Sequence, residues 1–162
     1  PPRSTLFPYT TLFRSETESR LLTVSGVARD IGLLVTRALL GVVLIAHGWE
    51  KFVINGIDGT GEFFSSVGVP GAAAAATVVG LIELVGGILL ILGLLTPVVA
   101  VLVVVVMLGA FFFVHVGSGI YVSNNGWELV AVIGLAAAVY GLVGPGRYSL
   151  DAIINGRRAA AA

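Results

Sequence analysis

The sequence predicts an all-α membrane protein in which four transmembrane helices form a bundle. The composition is strongly apolar, with 57% hydrophobic and 11% charged residues and a mean hydropathy of +1.02, whereas soluble domains carry about 25% charged residues. Long apolar stretches occur at residues 31–49, 72–95, 97–116 and 127–143. A stretch of about 20 such residues is long enough to cross the ~30 Å hydrocarbon layer of a bilayer.

The first 20 residues are set apart from the bundle. Residues 5–15 resemble the translation of a sequencing-adapter oligonucleotide, so residues 1–20 are interpreted as an artefact or a disordered tract. The bundle is assigned to residues 21–155, and residues 156–162 are predicted to be a disordered tail. Without Arg3 and Arg14 the chain has two more acidic than basic residues, and nothing indicates a nucleic-acid partner.

The segments between these stretches carry further signals. No small-x-small cleavage pattern follows residues 31–49, which favours a retained span over a signal peptide. Phe63 and Phe64 in the polar loop at residues 50–71 predict a short helix at the membrane interface. Pro97 predicts a tight turn before the third span, because proline is well suited to the first turn of a helix.

The distribution of basic residues predicts the orientation in the membrane. Lys51 stands in the flanks on one side, and the basic residues on the other side are Arg20, Arg29, Arg147, Arg157 and Arg158. Because short cytoplasmic flanks are enriched in Lys and Arg, both termini are predicted to be cytoplasmic, with membrane lipids around the spans.

Two motifs recur along the chain. Leu-Gly-x5-His occurs at residues 40–47 and 108–115, and Glu-Leu-Val occurs at residues 83–85 and 128–130. The pairing predicts two parallel hairpin repeats, although chance is an equally good explanation in a chain so rich in Gly, Leu and Val. Small residues spaced by four favour close helix packing, either within one chain or in a homo-oligomer.

Glu83 is the only carboxylate well inside a span, and Arg37 is the only arginine inside one. Counted from the outer ends of their spans, the two residues reach a similar depth. Because an ionisable side chain in a membrane normally has a partner, we predict a buried Arg37–Glu83 ion pair. Such a pair either fixes helix register or serves a proton-linked or redox-linked site.

A second group of polar residues gathers at the predicted outer mouth of the bundle: His47, Glu50, Lys51, His115 and Glu128. These side chains are candidates for a pocket that binds a small ligand, and ordinary interfacial polarity is the alternative. No metal site is predicted, because no HxxH or HxxxH spacing occurs. No particular residue is assigned as catalytic. The absence of cysteine excludes a thiol redox couple within the chain.

The combined motifs resemble the DoxX family of small four-helix membrane proteins. The matching positions are Arg37, His47-Gly48-x-x-Lys51, Gly68-x-Pro70, Gly80-x-x-Glu83-x-x-Gly86-Gly87, Gly93-x-x-Thr96, Glu128 and the run Gly144-Pro145-Gly146-Arg147-Tyr148-Ser149-Leu150-Asp151. The resemblance implies a protein of the bacterial inner membrane. It also implies quinone-linked sulfur oxidation, as in the thiosulfate:quinone oxidoreductase subunit, or a thiol-stress complex with a superoxide dismutase and a sulfurtransferase.

The leading hypothesis is a membrane subunit of such a quinone-linked or thiol-stress redox system. No intrinsic cofactor is expected, and quinone is the expected ligand. The alternatives are a non-catalytic scaffold that recruits soluble redox enzymes, and a transporter of protons or small solutes. Whether the chain is itself an oxidoreductase subunit stays open at this point.

Overall fold

The computed structural model describes the backbone of residues 26–161 and the side chains of residues 26–156. All regular secondary structure in this range is helical, which confirms the predicted fold class. The tract at residues 1–20, which was interpreted as an artefact or a disordered tract, lies outside the described residues, as does Arg20. The side chains of Arg157 and Arg158 also lie outside this range.

Six α-helices follow one another along the described chain. They are α1 (Gly26–Trp49), α2 (Gly56–Ser66), α3 (Ala72–Leu92), α4 (Thr96–Ala110), α5 (Glu128–Val143) and α6 (Leu150–Ala161). A π-helical turn prolongs α1 (Glu50–Ile54) and another prolongs α4 (Phe111–His115). Helix α2 is the short helix predicted within the polar loop, and α4 begins at the predicted tight turn, with Pro97 in its first turn.

Three of these helices are long and apolar enough to cross a membrane. With their π turns, α1 and α4 cover 29 and 20 residues, and α3 covers 21. Helix α5 is equally apolar but has only 16 residues, which corresponds to about 24 Å. The protein is therefore a helical membrane bundle with three full-length spans and a shorter fourth apolar helix.

Glycines bring α1 and α3 into backbone contact. A Cβ atom added to Gly41 would lie 2.5 Å from the carbonyl oxygen of Gly87, and one added to Gly48 would lie 2.6 Å from the backbone nitrogen of Leu84. Larger side chains at these positions would force the helices apart. The core beside this contact is formed by buried side chains of four helices, including Leu44, Leu90, Val103, Ile133, Ala137 and Tyr140.

The two π turns occupy equivalent places. One follows α1 and the other follows α4, and these are two helices that the predicted repeat relates to each other. Helix α1 packs along α3, and α4 packs along α5. This arrangement is compatible with two hairpin repeats, and the duplication itself stays a prediction.

Arg37 holds the segment after α5 against the bundle. The side chain is 1% exposed. Its Nη1 donates a hydrogen bond to the carbonyl oxygen of Pro145 (2.7 Å), and its Nη2 donates to those of Tyr148 (2.9 Å) and Ile91 (3.4 Å). The carbonyls near a helix C-terminus carry partial negative charge, which stabilises a buried cation.

Asp151 caps α4 from this same segment. Its two carboxylate oxygens accept hydrogen bonds from the backbone N–H groups of Leu95 and Thr96, each at 2.9 Å. Leu95 has a φ of 52°, which is uncommon for a residue other than glycine. The carboxylate therefore satisfies the first donors of α4 and holds this turn in place.

The predicted disorder of residues 156–162 is wrong for most of that segment, because the backbone is helical to Ala161. The start of this helix is marked by local sequence signals at Ser149 and Asp151. Ser149 Oγ accepts a hydrogen bond from the backbone N–H of Ala152 (3.2 Å), and Asp151 lies in the first turn. Both features are typical of a helix N-terminus.

We expect Gly41→Ala to destabilise the protein by about 1–3 kcal/mol, because the added methyl group must push α1 away from the backbone of α3. Gly109→Ala is the matched control, since a Cβ atom there has no neighbour within 4 Å. Thermal unfolding in detergent measures both. Equal stability of the two variants would contradict the close backbone contact.

Candidate functional site

The structure does not bring Arg37 and Glu83 together, so the predicted ion pair is wrong. Helices α1 and α3 run antiparallel with Gly48 against Leu84, which places Glu83 level with the end of α1. The carbonyls that bind Arg37 lie near the opposite end of α3. The 11 residues from Arg37 to Gly48 correspond to roughly 16 Å along the helix axis.

The prediction failed because the outer ends of the two spans are not level. The first turns of α3 extend beyond Trp49 and pack beside α2, where Gly61 lies against Ala73. Counting inward from Ala72 therefore places Glu83 too deep relative to α1.

Lys51 is the partner of Glu83. Its Nζ lies 2.6 Å from Glu83 Oε2, and the side chains are 17% and 5% exposed. Lys51 lies in the π turn, three residues after Gly48, and so continues the face of α1 that carries the buried residues Gly41 and Leu44. An ion pair this well buried must offset a large desolvation cost through its close contact.

The ion pair borders a cavity of about 780 Å³. Its walls come from α3 and α4, from the two π turns, and from α2. The polar lining residues are Glu50, Lys51, Asn55, Thr60, Glu83 and His115. The remaining lining is mainly aliphatic and aromatic, including Phe63, Phe64 and Phe113. Asn55, Thr60 and these aromatic residues were not predicted as site residues, since nothing in the sequence marks α2 as a wall.

The predicted mouth is only partly assembled at this cavity. Glu50, Lys51 and His115 line it, whereas His47 and Glu128 are not among the lining residues. His47 Nδ1 lies 3.6 Å from a carboxylate oxygen of Glu50. Glu128 accepts a hydrogen bond from the backbone N–H of Val122 (2.7 Å) and so fixes the loop before α5.

Two further contacts position polar groups at the cavity. The Nδ1 atom of His115 lies 2.7 Å from the carbonyl oxygen of Asn125, and since a carbonyl only accepts, the ring donates from Nδ1. Nε2 is then the ring atom available to a ligand. The hydroxyl of Thr60 donates to the carbonyl oxygens of Lys51 (3.1 Å) and Gly56 (3.0 Å), which ties α2 to the π turn.

This arrangement is suited to a ligand with a polar head and an apolar body. The Lys51 ammonium can donate hydrogen bonds, and the Glu83 carboxylate can accept them or exchange a proton. Because the two charges cancel, the pair does not select for a charged ligand. The size of the cavity falls within the ~300–1,000 Å³ range of small-molecule sites.

A double-mutant cycle tests the ion pair. We expect Lys51→Met alone to destabilise the protein by about 3–5 kcal/mol, because it leaves the Glu83 charge buried without a partner. Adding Glu83→Gln to Lys51→Met should restore part of that loss, with a coupling energy of about 1–3 kcal/mol.

The control for the cycle is Glu62→Gln, which makes the same chemical change at an exposed position of α2. We expect it to alter stability by no more than about 0.5 kcal/mol. Unfolding in detergent measures all variants. Strictly additive losses in the cycle would show that Lys51 and Glu83 do not interact.

Comparisons with known proteins identify the relatives of this chain. "Putative oxidoreductase CatD" of Bacillus subtilis (strain 168) is 40% identical over 85 residues, which cover 52% of this chain and 60% of that protein, less than two thirds of its length. The inner membrane proteins YqjF and YphA of Escherichia coli (strain K12) are 30% and 32% identical. Each match covers 78% of this chain, with 94% of YqjF and 92% of YphA.

No solved structure matches the chain. The family model described as DoxX matches residues 32–116, slightly more than half of the sequence. This range runs from α1 to the π turn that ends at His115, and it contains both members of the Lys51–Glu83 pair. On these matches, the chain belongs to the DoxX family.

Proposed function

We propose that the cavity binds a quinone and that the protein is a membrane subunit of a redox system. The observation that carries this proposal is the buried Lys51–Glu83 pair at the border of a largely apolar cavity. A quinone is neutral and lipid-soluble, and it carries polar atoms at opposite edges of an apolar ring. These properties match the cancelled charges of the ion pair and the lining and volume of the cavity.

The residues of the site can form hydrogen bonds with both the oxidised and the reduced form of a quinone. The ammonium of Lys51 donates to a carbonyl oxygen, and the carboxylate of Glu83 accepts from a hydroxyl group. Nε2 of His115 can bond a second polar atom of the ligand. When a quinone is reduced it takes up two electrons and two protons, and the site offers ionisable groups close to where those protons are needed.

The electrons must come from a partner, because the chain has no cysteine and hence no dithiol couple of its own. We propose that the two electrons come from a reduced sulfur compound oxidised by a soluble partner enzyme, in line with the family resemblance to quinone-linked sulfur oxidation. A sulfurtransferase and a superoxide dismutase are further partners that this resemblance suggests, and neither is itself the electron donor. The donor must reach the end of the bundle that carries the cavity. One relative is named an oxidoreductase, which supports a redox role for this chain.

The proposed location is the bacterial inner membrane, in keeping with the names of two relatives. We propose that both termini are cytoplasmic. Arg29 and Arg147 support this orientation, because Asp30 lies 3.5 Å from the backbone nitrogen of Arg147 at the same end of the bundle. Lys51 lies at the other end. The cavity would then face the outer half of the membrane.

Quinone titration of the purified protein in lipid nanodiscs tests the proposal. We expect Glu83→Gln to weaken binding about tenfold or more, because it replaces a charged carboxylate by a neutral amide with one acceptor oxygen and leaves Lys51 without its counter-ion. Glu62→Gln is the matched control and should bind like the unmodified protein. The Lys51→Met/Glu83→Gln double variant should also bind weakly, and it carries no unpaired charge that would compromise folding.

Three outcomes would contradict the proposal. If the unmodified protein binds no quinone, the cavity serves another ligand. If deleting the gene leaves membrane quinone reduction unchanged, and soluble enzymes co-purify with the intact protein, the protein is a scaffold. If proteoliposomes show proton or solute flux that Glu83→Gln abolishes, it is a transporter.

A further inference from the structure

We infer that the cavity is entered sideways from the lipid, through a gap between α3 and α4, and that a bound quinone leaves its polyprenyl tail in this gap. The inference rests on the proposed quinone site and adds the path of entry and the part of the ligand that is recognised outside the head-group pocket.

The gap follows from how α3 and α4 diverge. The two helices are joined by a tight turn and pack closely near it, where a Cβ atom added to Gly86 would lie 3.2 Å from a methyl group of Val99. Further from the turn the cavity separates them, with Val78 and Val79 on one wall and Val105 and Val106 on the other. Because the helices are antiparallel, these wall residues lie at similar distances from the Gly86 contact, roughly 9–12 Å along the axis.

The same wall residues form part of the outer surface. Val78 is 54% exposed and Val105 is 61% exposed, yet both line the cavity that also contacts the buried Glu83. Both lie inside helices that are long enough to span the membrane, so the surface outside them faces hydrocarbon. The cavity is therefore continuous from the ion pair to the lipid-facing side of the bundle.

Helix α2 covers the cavity at the loop end. It contributes Thr60, Phe63 and Phe64 to the lining. The helix is anchored at two points, through the hydrogen bond from Thr60 to Lys51 and through the contact of Gly61 with Ala73. The lining at this end still includes exposed residues such as Phe63, so what favours the gap between α3 and α4 as the path of a lipid-soluble ligand is the apolar lining of that gap.

This geometry selects a ligand class. A head group beside Lys51 and Glu83 can be joined to an apolar chain that leaves between Val78 and Val105 and continues into the bilayer. A polar, water-soluble molecule gains nothing from such an exit. The structure therefore favours a quinone with a long tail over a head group alone.

Equilibrium binding in nanodiscs tests the inference with two probes, a polyprenyl benzoquinone and the same head group without a tail. We expect Val78→Trp/Val105→Trp to weaken binding of the tailed quinone about tenfold, because two indole rings fill the gap, and to change binding of the tail-less quinone less than about twofold. Val101→Trp is the matched control. It lies one turn from Val105 on the exposed surface of α4, it is not among the cavity residues, and binding of both probes should be unchanged.

A tailed quinone with a photoreactive diazirine near the end of its tail gives a readout that needs no variant. We expect it to label α3 and α4 near Val78 and Val105. Labelling confined to α2 or to the loop before α5 would overturn lateral entry. So would a double tryptophan variant in which binding of the two probes is weakened equally, or in which binding of neither probe is weakened. In each of these cases Glu83-dependent quinone binding could still stand. If neither probe binds the unmodified protein, it is the proposed function that fails, and this inference fails with it.

Discussion

The backbone contact between Gly41 and Gly87 sets the register on which the site depends. With no side chains between them, α1 and α3 approach closely along several turns, and the next contact of the same kind lies at Gly48 and Leu84. This register puts Lys51 opposite Glu83 and places Arg37 at the other end of α3. Because helices in lipid associate by close packing rather than by the hydrophobic effect, such glycines decide which polar side chains can meet.

The bundle stabilises its two buried cations in different ways. Arg37 donates to three backbone carbonyls and has no carboxylate within ion-pair distance among the described residues. Its role is to join α1 to the end of α3 and to the segment after α5. Lys51 instead has a carboxylate partner at the border of a cavity. A charge bound to backbone carbonyls has no ionisable partner to exchange a proton with, whereas an ion pair beside a cavity can serve a ligand.

The fold was largely predictable, because long apolar stretches in a chain with so few charges have few alternatives to a helical bundle. The tight turn at Pro97 and the short helix around Phe63 followed from local sequence signals and were also confirmed. The Arg37–Glu83 pair could not be predicted reliably, since the depth of a residue depends on where its neighbours' helices end. The extension of α3 beyond α1 is a property of tertiary packing that no local pattern encodes.

The position of Arg37 has a consequence for biosynthesis. Two of its three acceptors, the carbonyls of Pro145 and Tyr148, lie more than 100 residues later in the chain. While the ribosome is still synthesising that distant segment, the guanidinium resides in an unfinished bundle, and an arginine near the middle of an inserting helix costs about 2.5–3.5 kcal/mol. Helix α1 therefore enters the bilayer with a penalty that is relieved only after the segment at residues 145–148 has been synthesised and has packed against Arg37.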